Sequence, residues 1–234
     1  MSSNLPNHIA IIMDGNRRWA RRNKFKILRG HEAGADSVRN ITTECAKIGV
    51  GELTLYAFST ENRDRDREEI GGLWRLLERF CRKERPTIMD NNIRLRAIGH
   101  VDDIPDPARK ALFDLISDSS ANTGMVMRLA LNYGGHAEIL DAINTVLAGR
   151  KSRGVPLDSP VDKDELRSGI YDPEMTEVDL LIRPGCERRV SNFLLWHIAY
   201  AEFYFSDVLW PDFSLEHLHE AINDYRQRDR RKGR

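Results

Sequence analysis

Short apolar runs at 9–13, 53–58, 93–98, 125–131 and 178–182 alternate with stretches of helical periodicity, and this alternation restricts the fold more than any other feature. Val38, Ile41, Cys45 and Ile48 recur at helical spacing within 33–48, and Gly49 follows as a stop signal. Leu73, Leu76, Leu77, Phe80 and Cys81 share one face of a long amphipathic stretch over 69–88. Further helices are predicted over 107–117, 137–147, 162–168 and 215–226. Strands that alternate with helices pair in parallel, because each crossover carries the chain back over a sheet face. Both faces are then covered, which suits apolar runs with little polar alternation. No linker, repeat or low-complexity stretch divides the chain. The prediction is a single α/β domain over 1–234, ending in a basic tail at about 226–234.

Charge sets limits on partners. Lys plus Arg and Asp plus Glu number 36 each, so the whole chain is not predicted to bind nucleic acid. The arginines are clustered instead, at 17–29, 63–67, 183–189 and 226–234. Cys45, Cys81 and Cys186 are odd in number and form no CxxC or Cys/His pattern, which points to a reduced, intracellular protein. Residues 1–8 carry no signal-peptide core, and no apolar run approaches the roughly 20 residues of a membrane helix. The expectation is a cytoplasmic protein, at most peripheral to a membrane.

Ligands of open parallel sheets bind beyond the carboxyl ends of the strands. Here those ends are polar: Asp14-Gly15-Asn16-Arg17-Arg18, Ser59-Thr60-Glu61-Asn62, Asn132-Tyr133-Gly134-Gly135, and Arg183-Pro184-Gly185-Cys186-Glu187-Arg188-Arg189. In a parallel sheet they share one rim. Asp14 reads equally as a turn cap or as a hard oxygen ligand for magnesium. Gly15 would let the backbone approach a phosphate. Arg183, Arg188 and Arg189 read as a solvated loop or as guanidinium forks for phosphate oxygens, and their position directly after an apolar strand favours the second. His31 reads equally as a local backbone partner or a site residue. P-loop, GxSxG and HExxH patterns are absent.

The same segments carry a family resemblance. HIAIIMDGNRRWA, GHEAG, LTLYAFSTEN, LALNYGG and VDLLIRPGCERRVSNFLLWHIAYAEFYFSDVLWPDF resemble, in order from about residue 8 to 213, the signatures of cis-prenyltransferases of the undecaprenyl diphosphate synthase type. The resemblance implies a central, mostly parallel six-stranded sheet flanked by helices, an elongated hydrophobic product tunnel and a homodimer. It also implies magnesium-dependent condensation of isopentenyl diphosphate onto an allylic diphosphate, typically farnesyl diphosphate. The product would be a medium- or long-chain polyprenyl diphosphate such as undecaprenyl diphosphate.

Residue by residue, Asp14 matches the aspartate that engages magnesium and the allylic diphosphate. Gly15, Asn16, Arg17 and Arg18 match the loop around that diphosphate, with Trp19 and His31 beside it. Ser59, Thr60 and Glu61 match a substrate-binding strand end, and Asn62 the residue that helps remove the proton. Arg63 and Arg65 are taken as further substrate contacts. Arg183, Arg189, Val190 and Ser191 match the isopentenyl diphosphate site, and Glu202 the second magnesium carboxylate. Arg231-Lys232-Gly233 resembles an element that reaches into the partner subunit's site.

Some positions depart from the family pattern. Arg17 stands where bacterial members commonly have glycine. Ile27 stands where a diphosphate-binding arginine is usual, with Lys26 and Arg29 as nearby substitutes. Arg63 replaces an aromatic residue, and Pro184 and Cys186 replace a threonine and a glycine. Trp74 and Phe80 are large enough to shorten a product. The competing reading is a non-catalytic partner subunit of a heteromeric prenyltransferase. A peripheral membrane contact for product release is expected, and nucleic-acid binding by the tail is not.

Overall fold

In the computed structural model, which describes residues 5–229, six strands form one sheet in the order β3-β4-β2-β1-β5-β6, and every pairing is parallel. The strands are β1 (His8–Ile12), β2 (Glu52–Ser59), β3 (Arg94–Ile98), β4 (Val126–Tyr133), β5 (Leu180–Arg183) and β6 (Glu202–Phe205). The helices are α1 (Asn16–Arg22), α2 (Ile27–Ile48), α3 (Arg67–Lys83), α4 (Arg85–Asp90), α5 (Asp106–Asp118), α6 (Gly135–Arg153), α7 (Lys163–Gly169) and α8 (Leu215–Gln227). The tail element Arg231-Lys232-Gly233 lies outside the described residues.

β1 is buried along its whole length and lies between β2 and β5. That position explains why its sequence is apolar without alternation. One apolar cluster joins this sheet face to α2, α3, α5 and α8 through residues such as Ile41, Leu55, Leu112 and Ile222. The second joins the other face to the 175–198 segment through Met175, Phe193 and Leu194. Polar groups inside the sheet are paired. His8 Nε2 lies 2.8 Å from Thr54 Oγ1, and Arg128 bridges Glu52 and Asp172. Burial holds the His8 ring below its ordinary pKa.

Four elements differ from the sequence expectation, β6 among them, since no strand is predicted from the apolar runs over 202–205. The long helix predicted over 69–88 is two helices, because Pro86 cannot continue α3 and instead opens α4. α2 begins at Ile27, ahead of the predicted 33. α1 follows β1 after only Met13, Asp14 and Gly15, within a junction that carries no periodic apolar signal.

Candidate active site

The polar ends of β1, β2 and β5 do share one rim, as the parallel pairing requires. They open onto a cavity of about 790 Å³ bounded by α1, α2, α3 and the sheet. Its mouth holds Asp14, Arg17, Arg18, Arg21, His31, Glu61, Asn62, Arg65, Arg183, Arg189 and Ser191. Its depth is apolar, formed by Val38 of α2, Leu73, Trp74, Leu77 and Phe80 of α3, and Phe58, Leu129 and Leu131 of the sheet. The α3 face predicted from periodicity is therefore the wall of this cavity as well as core.

Gly15 makes the β1–α1 junction possible. Its φ is 109°, a left-handed conformation that side chains disfavour, and an added Cβ would meet Leu209 at 3.0 Å. The turn leaves Asp14 beside two guanidinium groups. Oδ2 accepts from Arg183 Nη2 at 3.0 Å, and Oδ1 lies 3.1 Å from Arg18 Nη2. Arg183 is nearly fully buried and also donates to Ser191 Oγ at 2.8 Å and to the Arg189 carbonyl.

Glu69 of α3 makes a second centre of charge. Its side chain is only 7% exposed and faces Arg65 at 3.1 Å, His31 at 3.5 Å and Arg17 at 3.7 Å. Burial, with Arg65 adding to it, lowers the His31 pKa to about 4, so this ring is neutral near pH 7. Arg189 pairs with Glu187. Arg17, Arg18, Arg65, Arg183 and Arg189 are thus each matched to a carboxylate of the same chain.

The matching is incomplete. Asn16 Oδ1, Arg17 Nε, His31 Nε2 and Arg183 Nε are buried without a hydrogen-bond partner. Buried polar atoms are rarely left so, and those three nitrogens can present N–H donors. Arg17 Nε and His31 Nε2 face Glu69 at 3.7 and 3.5 Å without closing a hydrogen bond, and Arg183 Nε makes none; such unsatisfied donors between arginines, at the mouth of an apolar cavity, fit an anionic head on an apolar tail.

A magnesium ion fits this donor set only in part. Asp14 offers a hard carboxylate at the mouth, and magnesium commonly takes one or two carboxylates with phosphate oxygens. Among the described residues no group of three His, Cys, Asp or Glu is placed to hold a metal, so the remaining ligands would have to come from a substrate or water.

Not every predicted residue reaches the cavity. The Trp19 indole donates to Asp212 at 2.6 Å and packs on Phe25. Arg63 pairs with Asp103 on the surface. Val190 packs against the second apolar cluster, and Thr60 lies under Gly134. Glu202 is not brought to Asp14 within this chain. It opens β6 opposite Leu180, which is level with Ile9, so it stands roughly 16 Å along the strand direction from Asp14. It pairs with Arg228 at 2.7 Å. Of the substitutes for Ile27, Arg29 faces Glu32 and Lys26 is exposed, whereas Arg21 lines the cavity.

Sequence reasoning missed Glu69, Arg21, Glu187 and Asn192. Glu69 lies in the first turn of α3, four residues after Arg65, which stands in extended backbone just before that helix; the spacing suggests an ion pair but not its burial. Asn192 links two rim loops: its amide donates to Glu61 Oε1 at 2.9 Å. Burial alone would raise the Glu61 pKa, but this bond and those from its own loop bring it below the ordinary value. Asn62 turns its amide oxygen toward Ser59 N–H at 3.4 Å, in a capping box that closes the loop after β2.

A prenyltransferase family model, described as undecaprenyl diphosphate synthase, matches residues 12–233. The isoprenyl transferase of Clostridium tetani is 46% identical over 230 residues, covering 98% of this chain and 90% of that protein. The isoprenyl transferase of Geobacter sulfurreducens is 43% identical over 230 residues, covering 98% and 93%. Among solved structures, lavandulyl diphosphate synthase from Lavandula x intermedia, in complex with dimethylallyl diphosphate, superposes with a TM-score of 0.95 at 32% identity over 100% of both chains. A probable undecaprenyl diphosphate synthase from Campylobacter jejuni superposes with a TM-score of 0.80 at 29% identity, covering 98% and 99%.

Proposed function

The chain belongs to the undecaprenyl diphosphate synthase family of prenyltransferases and is an enzyme of the isoprenyl transferase type, and from that premise we propose that it condenses isopentenyl diphosphate onto an allylic diphosphate with magnesium. Farnesyl diphosphate is the proposed primer, and a medium- or long-chain cis-polyprenyl diphosphate the product. The observation that carries the reading is the set of orphaned donors between Arg17, His31 and Arg183 in front of an apolar wall.

In this reading the allylic diphosphate lies against Gly15, Asn16, Arg17, Arg18 and His31, with its tail toward Trp74 and Phe80. Isopentenyl diphosphate lies against Arg183, Arg189 and Ser191. When the allylic C1–O bond breaks, charge develops on the leaving diphosphate, and the guanidinium groups already fixed by Asp14 and Glu69 stabilise it without further reorganisation. The electron pair of the isopentenyl double bond forms the new bond to C1. This leaves a tertiary cation at C3 of the isopentenyl unit, and loss of a proton from its C2 lets the C–H electron pair form the C2=C3 double bond of the new allylic diphosphate. Asn62 is a weak base, so its role is to orient the isopentenyl group, while a diphosphate oxygen takes the proton. Phe58, Leu77 and Leu131 keep water from the developing cation and make the beginning of a product tunnel. A magnesium ion would be held by Asp14 together with diphosphate oxygens, and when bound it neutralises charge on the leaving group. Glu202 could join that ion only from a second copy of the chain.

The protein is proposed to work as a single-domain homodimer in the cytoplasm, touching membrane only to release product. Among the described residues no helix is long and apolar enough to cross a membrane. A non-catalytic subunit would have no need for a cavity with this pairing of arginines and apolar wall. Incubation with farnesyl diphosphate, labelled isopentenyl diphosphate and magnesium is expected to give an extended lipid. No incorporation with five-, ten-, fifteen- or twenty-carbon primers would overturn the proposal.

A further inference from the structure

Asn192 stands where three elements meet. Its main-chain oxygen accepts from Gly135 N–H at 2.7 Å, and its side-chain oxygen accepts from His136 N–H at 2.9 Å. These are free amides of the first turn of α6, whose N-cap residue Gly134 supplies no side-chain bond. Its amide nitrogen reaches the other way, to Glu61 at the end of β2. Asn192 also directly follows Ser191, whose hydroxyl is held by Arg183.

Two independent features show that the fold is built around this contact. Ser191, Asn192 and Leu194 have φ of 47°, 61° and 47°, a left-handed run that non-glycine residues avoid and that persists only where surrounding contacts enforce it. The paired glycines of the NYGG segment make room for it. A Cβ on Gly134 would meet Thr60 Oγ1 at 2.7 Å and Asn192 Nδ2 at 2.8 Å, and one on Gly135 would meet Leu195 at 2.7 Å.

We infer that Asn192 is a positioning residue for the isopentenyl diphosphate end of the site. By tying α6 to Glu61 it holds the left-handed turn that presents Ser191 and Arg189 to the substrate. The inference rests on the site reading given above. Its mechanical content is that the β2 end and the 189–194 turn move together.

The test uses the full chain carrying Asn192→Ala, Asn192→Asp, Glu61→Gln, and the last two combined. Steady-state kinetics give kcat and a separate KM for each substrate, and calorimetry gives the affinity for isopentenyl diphosphate alone. Asn192→Ala removes a bond to a charged group and is expected to raise the isopentenyl diphosphate KM by roughly tenfold or more, with the farnesyl diphosphate KM within about twofold. Asn192→Asp sets two carboxylates against each other and raises it further. Adding Glu61→Gln lets the new amide donate to the introduced carboxylate, which should bring KM back to about that of Glu61→Gln alone. Equal changes for both substrates, or additive effects in the double variant, would overturn the inference. A residue that only supports the fold would show neither the split nor the rescue. If the unaltered protein turns over no primer, the functional reading fails, and the calorimetric series alone decides the role of Asn192.

Discussion

Replacing Asp14 by asparagine should change diphosphate affinity in opposite directions with and without magnesium. The carboxylate touches Arg183 at 3.0 Å and Arg18 at 3.1 Å, so it occupies donors that a diphosphate would use. A diphosphate oxygen on the far side of either guanidinium would stand about 4–6 Å from Asp14. Two like charges at that separation repel by roughly 1 kcal/mol in water and about 3 kcal/mol at an effective dielectric of 20. The Asp14 side chain is 29% exposed, which places the site between these limits. A gain of roughly 1–2 kcal/mol, or about five- to thirtyfold, is expected for inorganic diphosphate binding to Asp14→Asn in EDTA. With magnesium the order reverses, because the carboxylate that would hold the ion is gone, and turnover should fall by about a hundredfold or more. Isothermal titration with inorganic diphosphate, in EDTA and in magnesium, measures both arms. The shape of the site should survive, since Arg183 keeps Ser191 and the Arg189 carbonyl. Unchanged affinity in EDTA would refute the view that Asp14 competes for the arginines, and equal tightening of both proteins by magnesium would refute its part in holding the metal.

Trp74 lies across Phe58 with ring centroids 4.6 Å apart inside the cavity wall, so Trp74→Ala should lengthen the product by at least one isoprene unit, read by chromatography of the dephosphorylated lipids; an unchanged distribution would show that the wall lies elsewhere. Gly134→Ala should mimic Asn192→Ala, raising the isopentenyl diphosphate KM about tenfold with little loss of Tm, because the clashing atoms are side-chain ends. His8, His31 and His197 have folded pKa values below 6.5, the latter two at about 4 and about 3, chiefly through burial; the stability they contribute is present above pH 6.5 and lost as pH falls toward those values. Glu138, raised to about 7 by burial, acts oppositely and loses stability as pH rises from 4.5 to 7. His31 and His197 against Glu138 give a net fall of roughly 1 kcal/mol per pH unit on acidification near pH 5.5, in the direction to which His8 also adds, and Glu138→Gln should steepen it in denaturant titrations; a flat profile would contradict these assignments.

The strands were legible because burial on both sheet faces writes itself as uninterrupted apolar sequence, as in β1 and β5. β6 was not found by the same reading. Glu202–Phe205 is a four-residue edge strand only partly buried, and its apolar run, Phe203-Tyr204-Phe205, is too short to stand out. α1 escaped for a related reason. It buries little beyond Ala20, and its remaining residues are charged or face the cavity. The break between α3 and α4 was written in the sequence by Pro86, but the amphipathic pattern running from Leu73 to Ile88 outweighed it.

For the site, the sequence displays cations far better than the carboxylates that organise them. Arginines at strand ends are conspicuous because parallel topology collects them on one rim. Glu69 is not, since one glutamate in the first turn of a helix is ordinary, and only folding shows Arg65, His31 and Arg17 converging on it. Yet the carboxylates decide how the site behaves. Long cationic side chains without internal partners would extend into water, and a ligand would bear the entropy of gathering them. Asp14, Glu69 and Glu187 gather them beforehand, each at the cost of some competition with the ligand. The pairing with Glu69 is the more deeply buried, so it holds geometry most firmly, while Asp14 is more open, as its proposed exchange of an arginine for a metal ion requires. In the proposed function the two carboxylates divide the work: Glu69 fixes the cradle, and Asp14 yields when the charged substrate arrives.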